Sequence, residues 1–132
     1  MRRGSLPRAG VTRRRQAAAP EFDRSEVCRL GTTGWASGRP HRIEIWFAHH
    51  DGTLYLLSGG GERSDWVRNL RQGSEVTVRL GRRSYRGTAR IVTDPGEDRL
   101  ARDLVFGKYS RRYSDDLEEW RESALPVAVD LV

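Results

Sequence analysis

Between residues 26 and 132 apolar side chains return in short period-two runs separated by Gly, Pro and Asp-Gly turns, and so many short strands must hide their edges. From His41 to His49, Ile43, Ile45 and Phe47 alternate with Arg42, Glu44 and Trp46. Asp51-Gly52 then tolerates the positive φ of a tight hairpin, and Thr53 to Leu57 supplies the returning strand. Val76, Val78 and Leu80 alternate with Glu75, Thr77 and Arg79, and Tyr85 to Val92 answers them across a turn at residues 81–83. A β-prone stretch from Glu26 to Thr33 and an apolar run from Pro126 to Val132 bring the expected strands to six. Two or three short helices interrupt them after the third and fifth. Ser64 starts one carrying Trp66, Val67 and Leu70 and ending at Gly73. Asp94-Pro95-Gly96-Glu97 has the cap, first-turn proline and capping-box acid of a second, and Asp115 to Glu122 reads as a third piece. Six short antiparallel strands leave fewest open edges when closed, so the expectation is a mainly β (α+β), six-stranded antiparallel split β-barrel.

A chain of 132 residues has room for one such domain, hiding about two thirds of its unfolded surface. Its hydrophobic share of 36% is low for a compact domain, which points to an unfolded segment and to a core completed by a partner subunit. Residues 1–21 are the candidate segment, a disordered Arg-rich arm, leaving a folded body over 22–132. The six arginines of residues 1–20 account for the whole net charge of +6, since that stretch contains no acid. A formally neutral body lacks the concentrated basic face that phosphate backbones require, so no specific nucleic-acid partner is expected.

Other chemistries fall away in the same manner. Cys28 is the single cysteine and sits among strand residues, so it reads as a packed thiol. His49 and His50 close a hairpin with no cysteine or acid at ligand spacing; no metal is assigned and both are given to solvent. No Ser/His/Asp or paired-carboxylate arrangement suggests a covalent nucleophile. No run approaches the roughly 18 apolar residues of a membrane span, and the arm lacks a secretory apolar stretch, so the expected location is cytoplasmic. The arm's charge would allow weak contact with the inner membrane face.

Gly31-Thr32-Thr33-Gly34, Gly38-Arg39-Pro40, Ile45-Trp46-Phe47, Ser58-Gly59-Gly60-Gly61 and Asp65-Trp66-Val67-Arg68-Asn69-Leu70 occur in the order seen in the deazaflavin-dependent nitroreductase family. That family lies within the split-barrel flavin reductase and pyridoxamine 5'-phosphate oxidase-like superfamily. The chain resembles it over residues 26–132, with Lys108-Tyr109 and Leu125-Pro126-Val127 as later matches. The resemblance implies a homodimeric split barrel holding coenzyme F420 near the dimer interface. Its reaction would pass a hydride to a small organic acceptor: a quinone, a nitro compound or an activated alkene.

The resemblance also implies site residues. Ser58, Gly59 and Gly60 would hold the coenzyme and Asn69 would orient its phosphate. Ile45, Trp46 and Phe47 would line the flat ring, although core packing accounts for that strand equally well. His41 stands where the family has a basic residue for the anionic tail, and Lys108 would neutralise the same tail. Tyr109 and Tyr113, four apart, would cap the substrate pocket, Tyr113 doubling as a proton donor. Trp66 reads equally as core or contact. From the residues themselves, three glycines beside a helix start can present backbone N–H groups to a phosphate, and Arg63 adds a guanidinium fork.

The sequence departs from the family where cations are expected. Trp35 and Ala36 follow the Thr-Thr-Gly turn, and no lysine follows Ser58. Flavin mononucleotide, which needs mainly a phosphate clamp, is therefore the alternative coenzyme, and a non-catalytic flavin- or haem-binding barrel is the alternative role.

Overall fold

The computed structural model describes residues 21–113 and 117–132. Its strands are β1 (Cys28–Thr33), β2 (Pro40–Ile45), β3 (Ala48–His50), β4 (Thr53–Ser58), β5 (Glu75–Leu80), β6 (Arg83–Ile91) and β7 (Leu125–Leu131). They form one antiparallel sheet in the order β2-β1-β5-β6-β7-β4-β3. The two edge strands, β2 and β3, are consecutive in the chain and separated only by Trp46 and Phe47. The single strand expected from His41 to His49 is thus bent in two, giving seven strands in place of six. At the bend the Phe47 N–H donates to the Tyr109 hydroxyl at 2.9 Å, and Lys108 Nζ donates to the Phe47 carbonyl at 3.0 Å. Side chains replace strand partners there, and the chain itself joins the two edges of the sheet. The result is a split barrel.

Inside it pack Phe22, Leu30, Phe47, Leu54, Leu56, Val76, Val78, Val127 and Val129. Each such side chain contributes roughly 1.5–3 kcal/mol by leaving water. Phe22 fills one end and stacks on His49, with ring centroids 4.7 Å apart and planes at 17°. His49 is therefore partly buried, contrary to its assignment to solvent; His50 is exposed. β4 is buried on both faces: Leu54 and Leu56 point into the barrel, while Tyr55 and Leu57 meet a second core with Ala101, Val105, Tyr109, Ala124 and Ala128. At the hairpin Asp51 and Gly52 have φ of 51° and 83°, the pair of positive values that such a turn demands.

A 3-10 turn (Gly61–Arg63) and helix α1 (Asp65–Gln72) follow β4; α2 (Pro95–Tyr109) and α3 (Glu118–Ser123) separate β6 from β7. Asp94 caps α2, accepting the Glu97 N–H at 2.9 Å, with Pro95 in the first turn. Glu97 does not close the capping box. Its carboxylate instead takes two 2.7 Å bonds from Arg90 and one of 2.8 Å from the Tyr55 hydroxyl, tying the helix start to the sheet. Ser64 precedes α1, but its hydroxyl pairs with Ser58 Oγ at 2.8 Å rather than with the helix. The piece expected from Asp115 begins at Glu118; residues 114–116 lie outside the described residues, as do residues 1–20 and with them the expected arm. No described helix is long and apolar enough to cross a membrane.

Candidate active site

Strand registers bring the C-terminal ends of β1 and β4 and the N-terminal ends of β2 and β7 to one end of the barrel, opposite Phe22. Three connections meet there: the loop 34–39, the turn 58–64 leading into α1, and α3 before β7.

The loop is fixed from inside. The Gly34 N–H donates to the Arg39 carbonyl at 2.7 Å, and the Gly38 N–H, at a φ of 74°, donates back to the Gly34 carbonyl at 2.9 Å. The Trp35 N–H donates to Asn69 Oδ1 at 2.8 Å, and Asn69 Nδ2 donates to Thr32 Oγ1 at 2.9 Å. Asn69, only 2% exposed, thus spends its amide on the loop that frames the depression rather than aiming it at a ligand. The depression, about 300 Å³, is lined by Gly34, Trp35, Ala36, Ser37, His41, Asp65 and Asn69. A β-carbon placed on Gly34 would lie 2.6 Å from His41 Nε2 and 2.7 Å from Ser37 Oγ, so both polar groups converge over this glycine. Trp35 stands out at 46% exposure, with the Arg68 guanidinium 5.5 Å from its ring centre. Sequence reasoning noted Trp35 only as a departure and did not single out Ser37, Asp65 or Arg68; an indole in a glycine-bounded loop with no strand period was the available signal.

In the glycine turn, Ser58 is 2% exposed and its hydroxyl reaches the Gly61 carbonyl at 3.0 Å as well as Ser64, so it braces the turn. Gly59, Gly60, Glu62 and Arg63 are exposed. The first N–H groups of a helical turn lack intrahelical acceptors, which suits this segment to an anion, with Arg63 alongside. The residues present fit a phosphate-bearing planar coenzyme: an exposed turn of small residues, a guanidinium, and an indole cluster against the same glycines. Gly59 abuts Trp120 of α3, whose Cδ1 would be 3.5 Å from an added β-carbon. Trp120 in turn stands edge-on to Trp46, at 5.7 Å and 86°. Trp120 lies in the helical piece expected from Asp115 to Glu122, to which the sequence alone assigns no site role.

Other expected site residues turn away. Phe47 is fully buried in the barrel, and Ile45 and Trp66 pack partly buried against the same core. Lys108 Nζ lies 3.7 Å over the Phe47 ring and donates to the Phe47 and Phe22 carbonyls, so it faces the protein rather than a coenzyme tail. Burial and the nearby Arg112 pull its pKa down to about 8. Tyr109, fully buried, lies flat on Trp46 at 4.2 Å and 5°, and its hydroxyl donates to the Glu26 carbonyl at 2.6 Å. It supports Trp46 from behind and is no substrate cap. Tyr113 packs on Trp46 at 4.7 Å, but its hydroxyl donates to the Glu26 carboxylate, and that bond raises its pKa. This makes it a reluctant proton donor. A larger depression of about 500 Å³ between α2 and α3 is lined by Asp98, Arg102, Asp103 and Arg121, whose charges pair with one another. Among the described residues no group of three or more His, Cys, Asp or Glu side chains is placed to hold a metal.

Comparison with known proteins bears on the fold and the family. No curated protein matches the chain. Among solved structures it resembles a conserved hypothetical protein from Mycobacterium tuberculosis at 25% identity, TM-score 0.69, over 86% of this chain and 77% of that one. An F420-H2 dependent reductase aligns at 20% identity, TM-score 0.64, over 79% and 93%. A putative pyridoxamine 5'-phosphate oxidase from Listeria innocua aligns at 16% identity, TM-score 0.66, over 89% and 92%. These last two establish the fold. Residues 8–131, nearly the whole chain, match the family described as F420H(2)-dependent quinone reductase. The chain belongs to that family, and it is an oxidoreductase whose coenzyme is F420.

Proposed function

We propose that this enzyme reduces a flat, electron-poor small molecule, foremost a quinone and by the same chemistry a nitro compound or an activated alkene. The observation that carries the reading is the contact of Gly59 with Trp120, which sets an anion-suited turn directly against an aromatic wall. The bound coenzyme supplies a hydride; the protein supplies placement and electrostatics. The turn at Ser58, Gly59 and Gly60, with Arg63, holds the coenzyme's phosphate, and His41 presents its imidazole on the side of the Gly34 depression. Trp46 backs the ring, beside Trp120. Asn69 acts through the Trp35 backbone and Tyr109 through Trp46, so both are positioning residues. Tyr113 serves as a cap beside Trp46, and water delivers the proton that accompanies the hydride.

We further propose that residues 22–132 form the coenzyme-binding domain, that the enzyme is a homodimer, and that residues 1–21 are an appendage. β2 is an edge strand, and its outer edge offers unpaired backbone groups to a second copy. Light scattering of the purified protein reads the dimer. Deleting residues 1–20 leaves coenzyme affinity unchanged and abolishes any salt-sensitive binding to anionic vesicles. The central test titrates the protein with F420 and with flavin mononucleotide, then follows oxidation of reduced F420 by a soluble quinone and a nitroarene. Saturable F420 binding with acceptor-dependent oxidation is expected; absence of binding refutes the reading.

A further inference from the structure

An F420 coenzyme ends in an acidic oligoglutamate tail, and the cations expected to meet it are absent or engaged elsewhere. Trp35 and Ala36 stand after the Thr-Thr-Gly turn, and Gly59 follows Ser58. Lys108 directs its ammonium to the Phe22 and Phe47 carbonyls. Arg42 alternates to the sheet face opposite His41, and Arg39 lines neither of the two depressions that flank Trp35. Positive charge stands instead on α1, where Arg68 and Arg71 share a face with Asp65 and Gln72 at spacings of three and four.

Two depressions meet along that face. The first is the Gly34 depression of about 300 Å³, which includes His41 and Asp65; the second, about 250 Å³, is lined by Trp35, Arg68, Arg71 and Gln72. Trp35 lines both. Its backbone N–H is held by buried Asn69, and the Gly34–Arg39 and Gly38–Gly34 bonds close the loop around it, yet the residue is 46% exposed. The fold thus braces an indole that it does not pack. Across the ring, at 5.5 Å from its centre, lies the Arg68 guanidinium, and among the described residues no carboxylate pairs with it, whereas Arg71 pairs with Glu62. A guanidinium stacked on an indole keeps its N–H edge open to a carboxylate and has less rotamer freedom to lose on binding. Asp65 repels carboxylates from the first depression, which favours their lying one helical turn farther on, at Arg68. From Asp65 to Gln72 the helix rises about 10 Å, the span of about three extended peptide units.

We infer that Trp35 and Arg68, with Arg71 beyond them, form the subsite for the coenzyme's acidic tail, the Arg68 guanidinium pairing with a glutamate carboxylate beside the indole. This rests on the reading that the turn at residues 58–61 holds the coenzyme's phosphate. That turn leads directly into α1, so a chain leaving the phosphate runs along the helix past Asp65 to Arg68. The charge that the family pattern places on the loop is here carried by the helix, and the loop supplies the ring that positions it. Such a subsite also selects between coenzymes, because flavin mononucleotide ends at its phosphate and gains nothing from Arg68.

The test compares the affinity of the full-length protein for two forms of the deazaflavin coenzyme, both bearing the phosphate and only one bearing glutamates. In fluorescence titrations at low salt, wild type is expected to bind the glutamylated form about 5-fold more tightly, the value of a well-placed exposed ion pair. Arg68→Gln changes an exposed side chain and is expected to reduce that gap to about twofold or less by weakening the glutamylated form alone. Trp35→Ala keeps the backbone N–H that Asn69 holds and is expected to narrow the gap as well. Salt at about 1 M narrows it in wild type, because exposed charges are then screened over a few ångströms. No gap in wild type, a gap that survives either substitution, or equal weakening of both forms in Arg68→Gln overturns the inference and leaves the phosphate turn standing. Wild-type protein that binds neither form overturns the site reading and this inference with it.

Discussion

Tyr109→Phe isolates one hydroxyl. In the folded chain that oxygen accepts the Phe47 N–H at 2.9 Å and donates to the Glu26 carbonyl at 2.6 Å, at a residue with no exposed surface. The phenyl ring survives the substitution, so stacking on Trp46 and the packing of α2 are retained. What is lost is the partner of a backbone N–H on Phe47, itself wholly buried. Stranding such a donor costs ~1–3 kcal/mol, and the lost bond to Glu26 adds ~0.5–1 kcal/mol, for a total of about 1.5–4 kcal/mol. With an m-value of ~1.5 kcal/mol/M, the urea midpoint falls by ~1–2.7 M while m stays constant. Because Phe47 is the bend between the two edge strands, the loss loosens Trp46, and F420 affinity is expected to fall with stability. Equilibrium urea unfolding, followed by tryptophan fluorescence, measures the first effect and F420 titration the second. A midpoint shift below about 0.3 M at unchanged m would refute the claim that this hydroxyl pins the bend.

Three further outcomes are expected. Gly87→Ala places a β-carbon 2.6 Å from Val129 Cγ1 and 3.0 Å from the Asp130 carbonyl, so overpacking costs ~1–3 kcal/mol in thermal or urea unfolding. Glu97 has its pKa lowered by the Arg90 guanidinium, then by the Tyr55 hydroxyl, against an opposing effect of burial. Its folded pKa lies below the unfolded value of ~4.3, so its contribution is full above that pH and is lost as pH falls through the folded value. Melting temperatures from pH 6 to 3 should therefore drop more steeply for wild type than for Glu97→Gln. Burial pushes the Cys28 thiol up to about 12, so a thiol-specific disulfide reagent at pH 8 should label it only after unfolding; rapid labelling of native protein would contradict this.

Local sequence determined much of this protein because its signals act at short range. Period-two alternation fixed β5, with Val76, Val78 and Leu80 inward, and Asp51-Gly52 fixed the β3–β4 hairpin, since each depends on residues a few positions apart. Asp94 and Pro95 marked the start of α2 for the same reason. Ordered motifs along the chain were enough to give the family and its coenzyme. Tertiary structure decided what depends on distant partners. The alternation through Trp46 and Phe47 reads as unbroken strand, yet Tyr109, 62 residues away, takes the Phe47 N–H and bends it. Asn69 matches a phosphate-orienting position, but Thr32 and Trp35 claim its amide. Lys108 carries the right charge, but its ammonium is drawn onto the Phe47 ring and buried carbonyls. Trp120 read as one more apolar helix residue until folding laid it against Gly59. Propensity and turn chemistry are written within a few residues, whereas a polar group's availability to a ligand depends on which buried partners reach it first, and folding alone brings those partners together.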